Sequence, residues 1–220
     1  MFLRYLRLQG VIATDLAACV PSVATWSLAG VPKGLAPGQV QRILARCDRR
    51  TLRGRRDYAI LLLLARLGLR ASEVGGLTLD DLDWERGRLA LRSKGGEPDQ
   101  LPLPADVGAA VAAYLEHGRP PCTSRCLFLR LLAPWGPLTD ASSISVLVAR
   151  HLAQAGIQAP HTGAHVFRHS LATDLLRHGA SLAEIGALLC HRSLNTTALY
   201  AKVDFAALRP LALPWPGGLR

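Results

Sequence analysis

Apolar positions recur at helical spacing along most of the chain. They predict helices at about 39–47, 55–67, 106–117 and 139–155, the second of them buried because its apolar run is continuous. Gly68 and Gly179 are placed to end helices, and Ser181 is placed to cap the helix that follows. Two β-type runs, at 88–92 and 100–103, flank a loop rich in Gly and Pro and predict a hairpin. The pattern therefore predicts a mainly α-helical fold with a small antiparallel β-sheet.

The two ends of the chain and two internal segments differ from this helical pattern. Residues 1–36 read as one amphipathic helix plus a linker containing Pro and Gly, residues 37–209 as the main domain, and residues 210–220 as a flexible tail. Residues 118–137 carry four prolines and are predicted to form an irregular surface excursion. The acidic cluster Asp80, Asp81 and Asp83 is predicted to be a solvated turn before a strand.

The charge of the chain indicates the kind of partner. The 220 residues include 26 Lys and Arg against 16 Asp and Glu, a formal net charge of +10. Such an excess favours a polyanion such as nucleic acid, and an acidic membrane surface would also attract it. The longest apolar run, 59–65, ends at Arg66, far short of the roughly 20 residues that span a bilayer. The first ten residues carry Arg4 and Arg7 and do not form a signal peptide, so a cytoplasmic protein is predicted.

The five cysteines are scattered and odd in number, which predicts reduced thiols and no disulfide framework. Cys122 and Cys126, with His117 nearby, suggest zinc at first sight. Their spacing is loose and a second ligand pair is missing, so no metal and no cofactor is predicted.

The stretch from residue 165 to residue 200 concentrates residues that a hydrophobic core does not require. Its cations and imidazoles are His165, Arg168, His169 and His191, and a phenol follows at Tyr200. The pattern places His165 and Arg168 one turn apart at the start of a helix. His191 is predicted to lie just past the end of a second helix, and Tyr200 is predicted to lie on a third helix that begins at about residue 194. Three helix ends can thus converge on one pocket.

These residue types together suggest metal-free phosphoryl transfer to a protein hydroxyl. Arginine offers a planar fork for two phosphate oxygens, and imidazole can donate a hydrogen bond or move a proton near neutral pH. Tyrosine can be a covalent nucleophile. No carboxylate cluster in the stretch suits a divalent metal. Each residue alone has an ordinary alternative, since a single Tyr is usually a packing residue and a single His a surface one.

The spacing H-x-x-R, then a His, then a Tyr nine residues on resembles the carboxy-terminal signature of the tyrosine recombinases, the phage integrase family. The run L-G-L-R-A-S-E-V resembles the first-arginine motif of that family and aligns Arg70 with it. The family places a mobile catalytic lysine in a hairpin followed by Pro-Leu, which matches Lys94 with Pro102 and Leu103. One position departs from the pattern: Cys190 stands where the family usually has glycine, and its side chain is predicted to crowd the turn before the histidine.

The resemblance implies a site-specific recombinase that cuts and rejoins DNA through a 3′-phosphotyrosyl intermediate. Tyr200 would be the nucleophile, and Arg70 and Arg168 would hold the nonbridging phosphate oxygens. His191 would donate a further hydrogen bond and His165 would assist proton transfer from the tyrosine. Lys94 would protonate the leaving oxygen. The implied partners are double-stranded DNA and further recombinase subunits, as a homotetramer on paired sites or with related subunits, and no membrane.

The resemblance also gives an interpretation of the amino-terminal segment and two alternative functions for the chain. Residues 1–36 would be the last helix and linker of a core-binding domain, most of which would be missing. A truncated DNA-binding remnant that does not recombine, or relaxation of supercoils like a type IB topoisomerase, are the alternative functions. On the helix at 139–155, Ser142, Ser143 and Arg150 are predicted to meet the phosphate backbone.

Overall fold

The computed structural model describes residues 2–16, 19, 34–36, 38–92, 99–133, 135–159, 161–190, 197 and 200. The chain divides into two compact units, residues 1–30 and residues 31–220. The first unit contains helix α1 (Phe2–Leu8), none of whose residues is buried. Arg7 Nη1 donates to Asp15 Oδ2 over 2.7 Å and ties the end of this helix to the residues after it.

The second unit is mainly helical, with a small antiparallel sheet, as the sequence pattern predicts. In chain order its elements are α2 (Gln39–Ala45), α3 (Leu52–Leu67), α4 (Ala71–Gly76), a 3-10 turn (Leu79–Asp81), β1 (Leu82–Asp83), β2 (Arg88–Leu91), β3 (Asp99–Pro102), α5 (Ala105–His117), α6 (Ala141–Gln154), α7 (His165–Arg177) and α8 (Leu182–Leu188).

Helix α3 is the centre of this unit. Its residues 59–64 are all buried, and it packs against both α5 and α7. The helix begins three residues earlier than predicted because the Thr51 side chain caps it, accepting a hydrogen bond from Gly54 N at 3.0 Å. It ends at Gly68, as predicted, where the backbone turns left-handed with φ of 60°. Because the middle of the helix, residues 59–64, is buried on all sides, the residues at its carboxyl end have a fixed position.

The sheet has the strand order β1-β2-β3, with both pairs antiparallel. The register pairs Leu82 with Leu89 and Leu89 with Leu101, and all three side chains are buried. The hairpin of β2 and β3 confirms the predicted one. Strand β1 was not predicted because two residues are too few to show an alternating pattern.

Two of the sequence predictions for loop segments are wrong. The segment 118–137 is irregular but is not a surface excursion, because residues 127–129 are buried. Leu127 N donates to Leu77 O, and Leu129 N donates to the Tyr114 hydroxyl. In the acidic cluster, Asp81 is 6% exposed and accepts hydrogen bonds from the backbone and hydroxyl of Thr78 and from Arg92 Nε. The polar groups of these buried residues are satisfied by partners both near in the sequence, such as Thr78 for Asp81, and distant, such as Leu77 for Leu127.

A buried ionic group, the Asp57 cluster (Arg56, Asp57, Arg150 and His151), joins α3 to α6. The carboxylate of Asp57 is fully buried and accepts from Arg56 at 2.8 and 3.0 Å, from His151 Nε2 at 3.1 Å and from Arg150. Arg56 Nη1 also donates to Leu129 O at 3.0 Å. Arg150 was predicted to meet DNA phosphate, but its guanidinium is bound to this carboxylate.

Within the described parts of the chain, no helix has the length and apolar content that crossing a bilayer requires. The predicted cytoplasmic location stays a prediction. The same residues contain no group of three or more His, Cys, Asp or Glu side chains arranged to hold a metal ion.

Candidate active site

The start of α7 places the first two predicted site residues. His165 is exposed at the first position of the helix, whereas Arg168, one turn later, is 5% exposed. Arg168 Nη1 donates to Gly68 O at 2.6 Å, and Nη2 donates to Leu189 O at 2.5 Å. One buried guanidinium therefore connects the ends of α3 and α8 to the first turn of α7. Two of its five N–H donors are used in these bonds.

The contact between these elements is close because residue 68 has no side chain. A Cβ atom built on Gly68 would lie 2.6 Å from Leu189 Cδ2 and 3.1 Å from Leu171 Cδ2. Its φ of 60° is also a conformation that L-residues other than glycine adopt at a cost. Gly68 therefore both ends α3 and allows α7 and α8 to reach its carbonyl.

Arg70 lies at the cap position of α4, where it was predicted. The Glu73 carboxylate accepts from Arg70 N at 2.7 Å and from Arg70 Nη1 at 2.5 Å. The side chain of Arg70 is 39% exposed and that of Glu73 is 19% exposed. Glu73 thus fixes both the backbone and the guanidinium of Arg70 while leaving part of the cation open to solvent.

Tyr200 is 2% exposed and packs against three apolar side chains. Ala172 lies on α7, Ile185 lies on α8, and Leu189 directly follows α8. Its hydroxyl lies 2.9 Å from His169 Nδ1, and the two ring centroids are 5.7 Å apart. The aromatic ring thus lies among apolar side chains, and its hydroxyl lies within hydrogen-bonding distance of an imidazole.

The two arginines, the phenol and the imidazole bonded to it make up the candidate site, called the Arg168 cluster (Arg70, Arg168, His169 and Tyr200). Burial lowers the pKa of Arg168 from its ordinary value, and the positive charge of Arg70 lowers it further. Burial raises the pKa of the Tyr200 phenol, while Arg168 and Arg70 both act to lower it. Two cations therefore lie near the hydroxyl in a region of reduced solvent access, which is the arrangement that a bound anion would stabilise.

His169 is the site residue that sequence reasoning did not select as catalytic. Burial lowers its pKa, and the nearby His165, His161 and Arg168 lower it further, so the imidazole is neutral at pH 7. The signal that could have found it was its place directly after Arg168 in a stretch dense with imidazoles. The periodicity did not show that its ring would turn toward Tyr200.

The turn after α8 carries the only departure from the motif. Cys190 has a φ of 49°, and among the described residues no other non-glycine residue has a positive φ. The usual glycine of the family would adopt this conformation without strain. The structure shows a backbone conformation that favours glycine at this turn, and the predicted crowding by the side chain stays a prediction.

Of the six predicted site residues, the structure brings Arg70, Arg168 and Tyr200 together, with His165 at the adjoining helix start. Lys94 and His191 lie outside the described residues. So does most of the helix predicted from residue 194, although residues 197 and 200 are helical. The catalytic roles of all six stay predictions.

A second group of reactive residue types lies apart from these residues. Cys47 Sγ is 3.9 Å from His151 Nδ1, and His151 Nε2 is bound to Asp57, in the order of a nucleophile, a base and an acid. The thiol is buried, however, and burial together with the charge of Asp57 raises its pKa to about 11. A neutral, inaccessible thiol is not a nucleophile, so this group has a packing role.

Comparison with known proteins agrees with the geometry. Residues 33–207 match the model of the phage integrase family. The chain is 54% identical over 216 residues to the integrase/recombinase y4rA of Sinorhizobium fredii, covering 98% of this chain and 53% of that protein. It is 32% identical over 198 residues to the tyrosine recombinase XerD of Yersinia pestis, covering 82% of this chain and 61% of that protein. The chain thus spans about half the length of the first of these relatives.

Solved structures show the same fold. The XerH site-specific recombinase, determined as a post-cleavage complex with its palindromic difH substrate, matches with a TM-score of 0.74 and 24% identity, over 89% of this chain and 57% of that one. The XerA recombinase matches with a TM-score of 0.69 and 24% identity, over 94% and 73% of the two chains. The chain belongs to the phage integrase family and has the fold of a tyrosine recombinase catalytic domain.

Proposed function

We propose that this chain is the catalytic part of a site-specific DNA recombinase that cuts and rejoins double-stranded DNA through a 3′-phosphotyrosyl intermediate. The named relatives are integrases and tyrosine recombinases, and the net charge of +10 suits a polyanionic substrate. The reaction exchanges one phosphodiester for another, so it requires no external energy source.

The proposed roles are those of the family motif, and the positions of the described side chains support them. Tyr200 supplies the attacking oxygen, and Arg70 and Arg168 bind the nonbridging oxygens of the scissile phosphate. To His165, at the exposed start of α7, the family motif gives assistance in proton transfer from the tyrosine. For Lys94 and His191 the family motif supplies the roles, which are protonation of the leaving 5′ oxygen and a further hydrogen bond to the phosphate.

The observation that carries the proposal is that the buried guanidinium of Arg168 bonds to the carbonyl of Leu189, a residue in the apolar cluster that holds Tyr200. The charges of Arg168 and of Arg70, 98 positions earlier in the chain, both act on the Tyr200 phenol. A buried guanidinium close to a second cation is unfavourable unless an anion binds between or beside them. Arginine pairs of this kind stabilise the charge that develops during phosphoryl transfer. A tyrosine in a purely structural role would not need two cations beside its hydroxyl.

The test is covalent trapping on a nicked suicide DNA substrate that carries a target site of a matching relative. The unchanged chain should form a protein–DNA adduct that survives denaturing electrophoresis, and Tyr200→Phe should form none while still binding DNA. Tyr58→Phe is the matched control, because Tyr58 is a partly buried ring that stacks under Arg49, away from the Arg168 cluster. An adduct that persists in Tyr200→Phe would overturn the assignment of the nucleophile.

The same reaction mixtures separate recombination from the related activities. A recombinase should cleave at a preferred site and join strands from two duplexes, whereas a topoisomerase would relax any supercoiled plasmid without site preference. Binding without any adduct would support a DNA-binding remnant. We further propose that the active assembly is a tetramer on paired sites, which sedimentation of the DNA complex would measure.

A further inference from the structure

His169 contacts Tyr200, the nucleophile of the proposed function, but the family motif gives His169 no role in the reaction. His169 Nδ1 and Tyr200 Oη are 2.9 Å apart, within hydrogen-bonding distance. Tyr200 is buried in the apolar cluster around α7, and His169 is half-buried on the same helix. His165, the imidazole to which the motif gives proton transfer, is an exposed residue. We propose that His169 is the catalytic residue that accepts the phenolic proton when Tyr200 attacks DNA.

This inference rests on the proposed function, because it assigns a role within the same reaction. The Tyr200 oxygen forms a bond to phosphorus, and its proton passes to His169 Nδ1, which becomes imidazolium. The bond from phosphorus to the 5′ oxygen breaks, and that oxygen takes a proton from the general acid, for which Lys94 is the candidate. On religation each proton returns, so no proton is lost over the full cycle.

The protonation states suit this step. A neutral imidazole has one free nitrogen lone pair, and the tautomer with the proton on Nε2 leaves Nδ1 free to accept. Burial lowers the pKa of His169, so the free base is present at pH 7. Burial raises the pKa of Tyr200, so the phenol keeps its proton until a base takes it. A phenol and a neutral imidazole therefore meet at the distance from which a proton can transfer.

The surroundings keep the imidazole neutral before the reaction and change when DNA binds. The groups that act on its charge are His165 and Arg168 of α7 and His161 of the preceding loop, all of which oppose protonation. On the helices that pack against α7, Arg66 of α3 is a cation and does not favour protonation, and the carboxylate of Glu184 on α8 accepts a hydrogen bond from Ser181. A bound phosphate would place negative charge beside the site and favour the imidazolium that forms during attack.

The discriminating experiment uses two substitutions of His169 in single-turnover cleavage of a suicide substrate. His169→Asn places an amide where Nδ1 lies, so it can keep the hydrogen bond to Tyr200 but cannot accept a proton. His169→Phe removes both functions. We expect cleavage to fall by about 10²–10⁴-fold in each, which is the usual contribution of a general base. His178→Asn is the control, since His178 is an exposed imidazole just past the end of α7.

Two further readouts separate proton acceptance from positioning. Cleavage by the unchanged chain should decline as the pH falls below the lowered pKa of His169, and His169→Asn should lack this acid limb. A substrate with a 5′-bridging sulfur, whose leaving group needs no proton, should restore the rate of Lys94→Ala but not that of His169→Asn. Unaltered thermal unfolding would show that the variants are folded.

The outcomes are distinct from those of the proposed function. If the unchanged chain forms no adduct, the proposed function itself fails. If it forms the adduct and His169→Asn retains its rate and its acid limb, only the role of His169 is overturned. A faster rate in His169→Phe would also overturn it, because the contact would then restrain Tyr200 instead of activating it.

Discussion

The Asp57 cluster and the Arg168 cluster both bury arginine in the same domain, yet they are built in opposite ways. In the first, one fully buried carboxylate faces Arg56, Arg150 and His151, so the charges compensate one another. In the second, the described bonds of the buried Arg168 guanidinium go to carbonyl oxygens, and no carboxylate among the described residues bonds to it directly. Arg70 opposes its positive charge and Glu73, which is bonded to Arg70, favours it. The first arrangement is complete without a ligand, whereas the second gains from binding an anion.

This difference indicates that the Asp57 cluster serves mainly the stability of the domain and that the Arg168 cluster serves mainly the proposed reaction. A buried ion pair fixes the relation of two helices, because removing either partner leaves an uncompensated charge. An under-compensated cation costs folding free energy but binds a phosphate more strongly, because fewer interactions must be broken when the ligand arrives. Substitutions in the two clusters should therefore have opposite profiles: large effects on unfolding in one and large effects on cleavage in the other.

The largest expected effect is on cleavage by Arg168 variants. Arg168→Ala should slow single-turnover cleavage by about 10³-fold or more, because an arginine that stabilises the phosphoryl transition state contributes on this order. Arg168→Lys should recover little of the rate, since an ammonium lacks the planar fork. Arg177→Ala, an exposed arginine on the same helix, should leave the rate unchanged. Near-normal cleavage by the lysine variant would mean that only the charge of residue 168 matters.

The next largest effect is on stability, in the Asp57 cluster. Asp57→Ala should reduce the free energy of unfolding by about 3–5 kcal/mol, because Arg56 and Arg150 lose their buried partner. Asp106→Ala breaks an exposed pair with Arg66 and should cost at most about 1 kcal/mol. Denaturant titrations of both variants measure the contrast. If the two variants lost equal stability, the buried Asp57 cluster would contribute no more to folding than an exposed ion pair does.

The pH dependence of the free energy of unfolding gives a second test of the contribution of Asp57 to stability. Burial acts to raise the pKa of Asp57, but the hydrogen bond from His151 and the charges of Arg56 and Arg150 outweigh it, so the pKa lies below its ordinary value. A carboxyl group with a lowered folded-state pKa contributes stability above its unfolded pKa of about 3.9, and this contribution is lost as the pH falls through the folded value. The unchanged chain should lose stability below about pH 4.

The comparison variant for this acid limb is Asp57→Asn, in which residue 57 no longer titrates. Its free energy of unfolding should be lower at neutral pH and should fall less steeply between pH 4 and pH 2 than that of the unchanged chain. Equal slopes in the two proteins would assign the acid sensitivity to other carboxyl groups.

Local signals in the sequence were sufficient for the parts of the site that depend on neighbouring residues. The helix start that carries His165 and Arg168, the end of α3 at Gly68 and the cap at Ser181 each follow from a few adjacent positions, and the structure has all three. The β2–β3 hairpin is equally local. These features could be predicted because periodicity and capping act over one or two turns of chain.

Features that depend on long-range pairing could not be predicted in this way. Arg150 and Asp57 are 93 positions apart, so a helical arginine in a basic chain was indistinguishable from a DNA contact until its partner was known. Asp81 appeared solvated because its partner Arg92 lies in a later part of the chain. His169 contacts Tyr200 only because α7 and the residues after α8 come together, and no spacing rule encodes the direction of its ring.

The smallest expected effect concerns the turn that adjoins Leu189, whose carbonyl receives Arg168. Cys190 holds a positive φ of 49°, which costs a non-glycine residue roughly 1–2 kcal/mol. Cys190→Gly removes this strain but also removes the packing of the thiol. The glycine also gives the unfolded chain more conformational freedom, which cancels about 0.4–1 kcal/mol of the stability gained. We expect a net gain in the free energy of unfolding of about 0.5–1 kcal/mol.

The control for this gain is Cys126→Gly, because Cys126 has no positive φ and its substitution should only destabilise. Denaturant midpoints of the two variants should therefore move in opposite directions. Cleavage by Cys190→Gly should be equal to or faster than that of the unchanged chain, since the turn would hold the Arg168 cluster with less strain. A loss of stability in Cys190→Gly would show that the packing of the thiol outweighs the backbone strain, and that the site tolerates a side chain at this turn without a penalty.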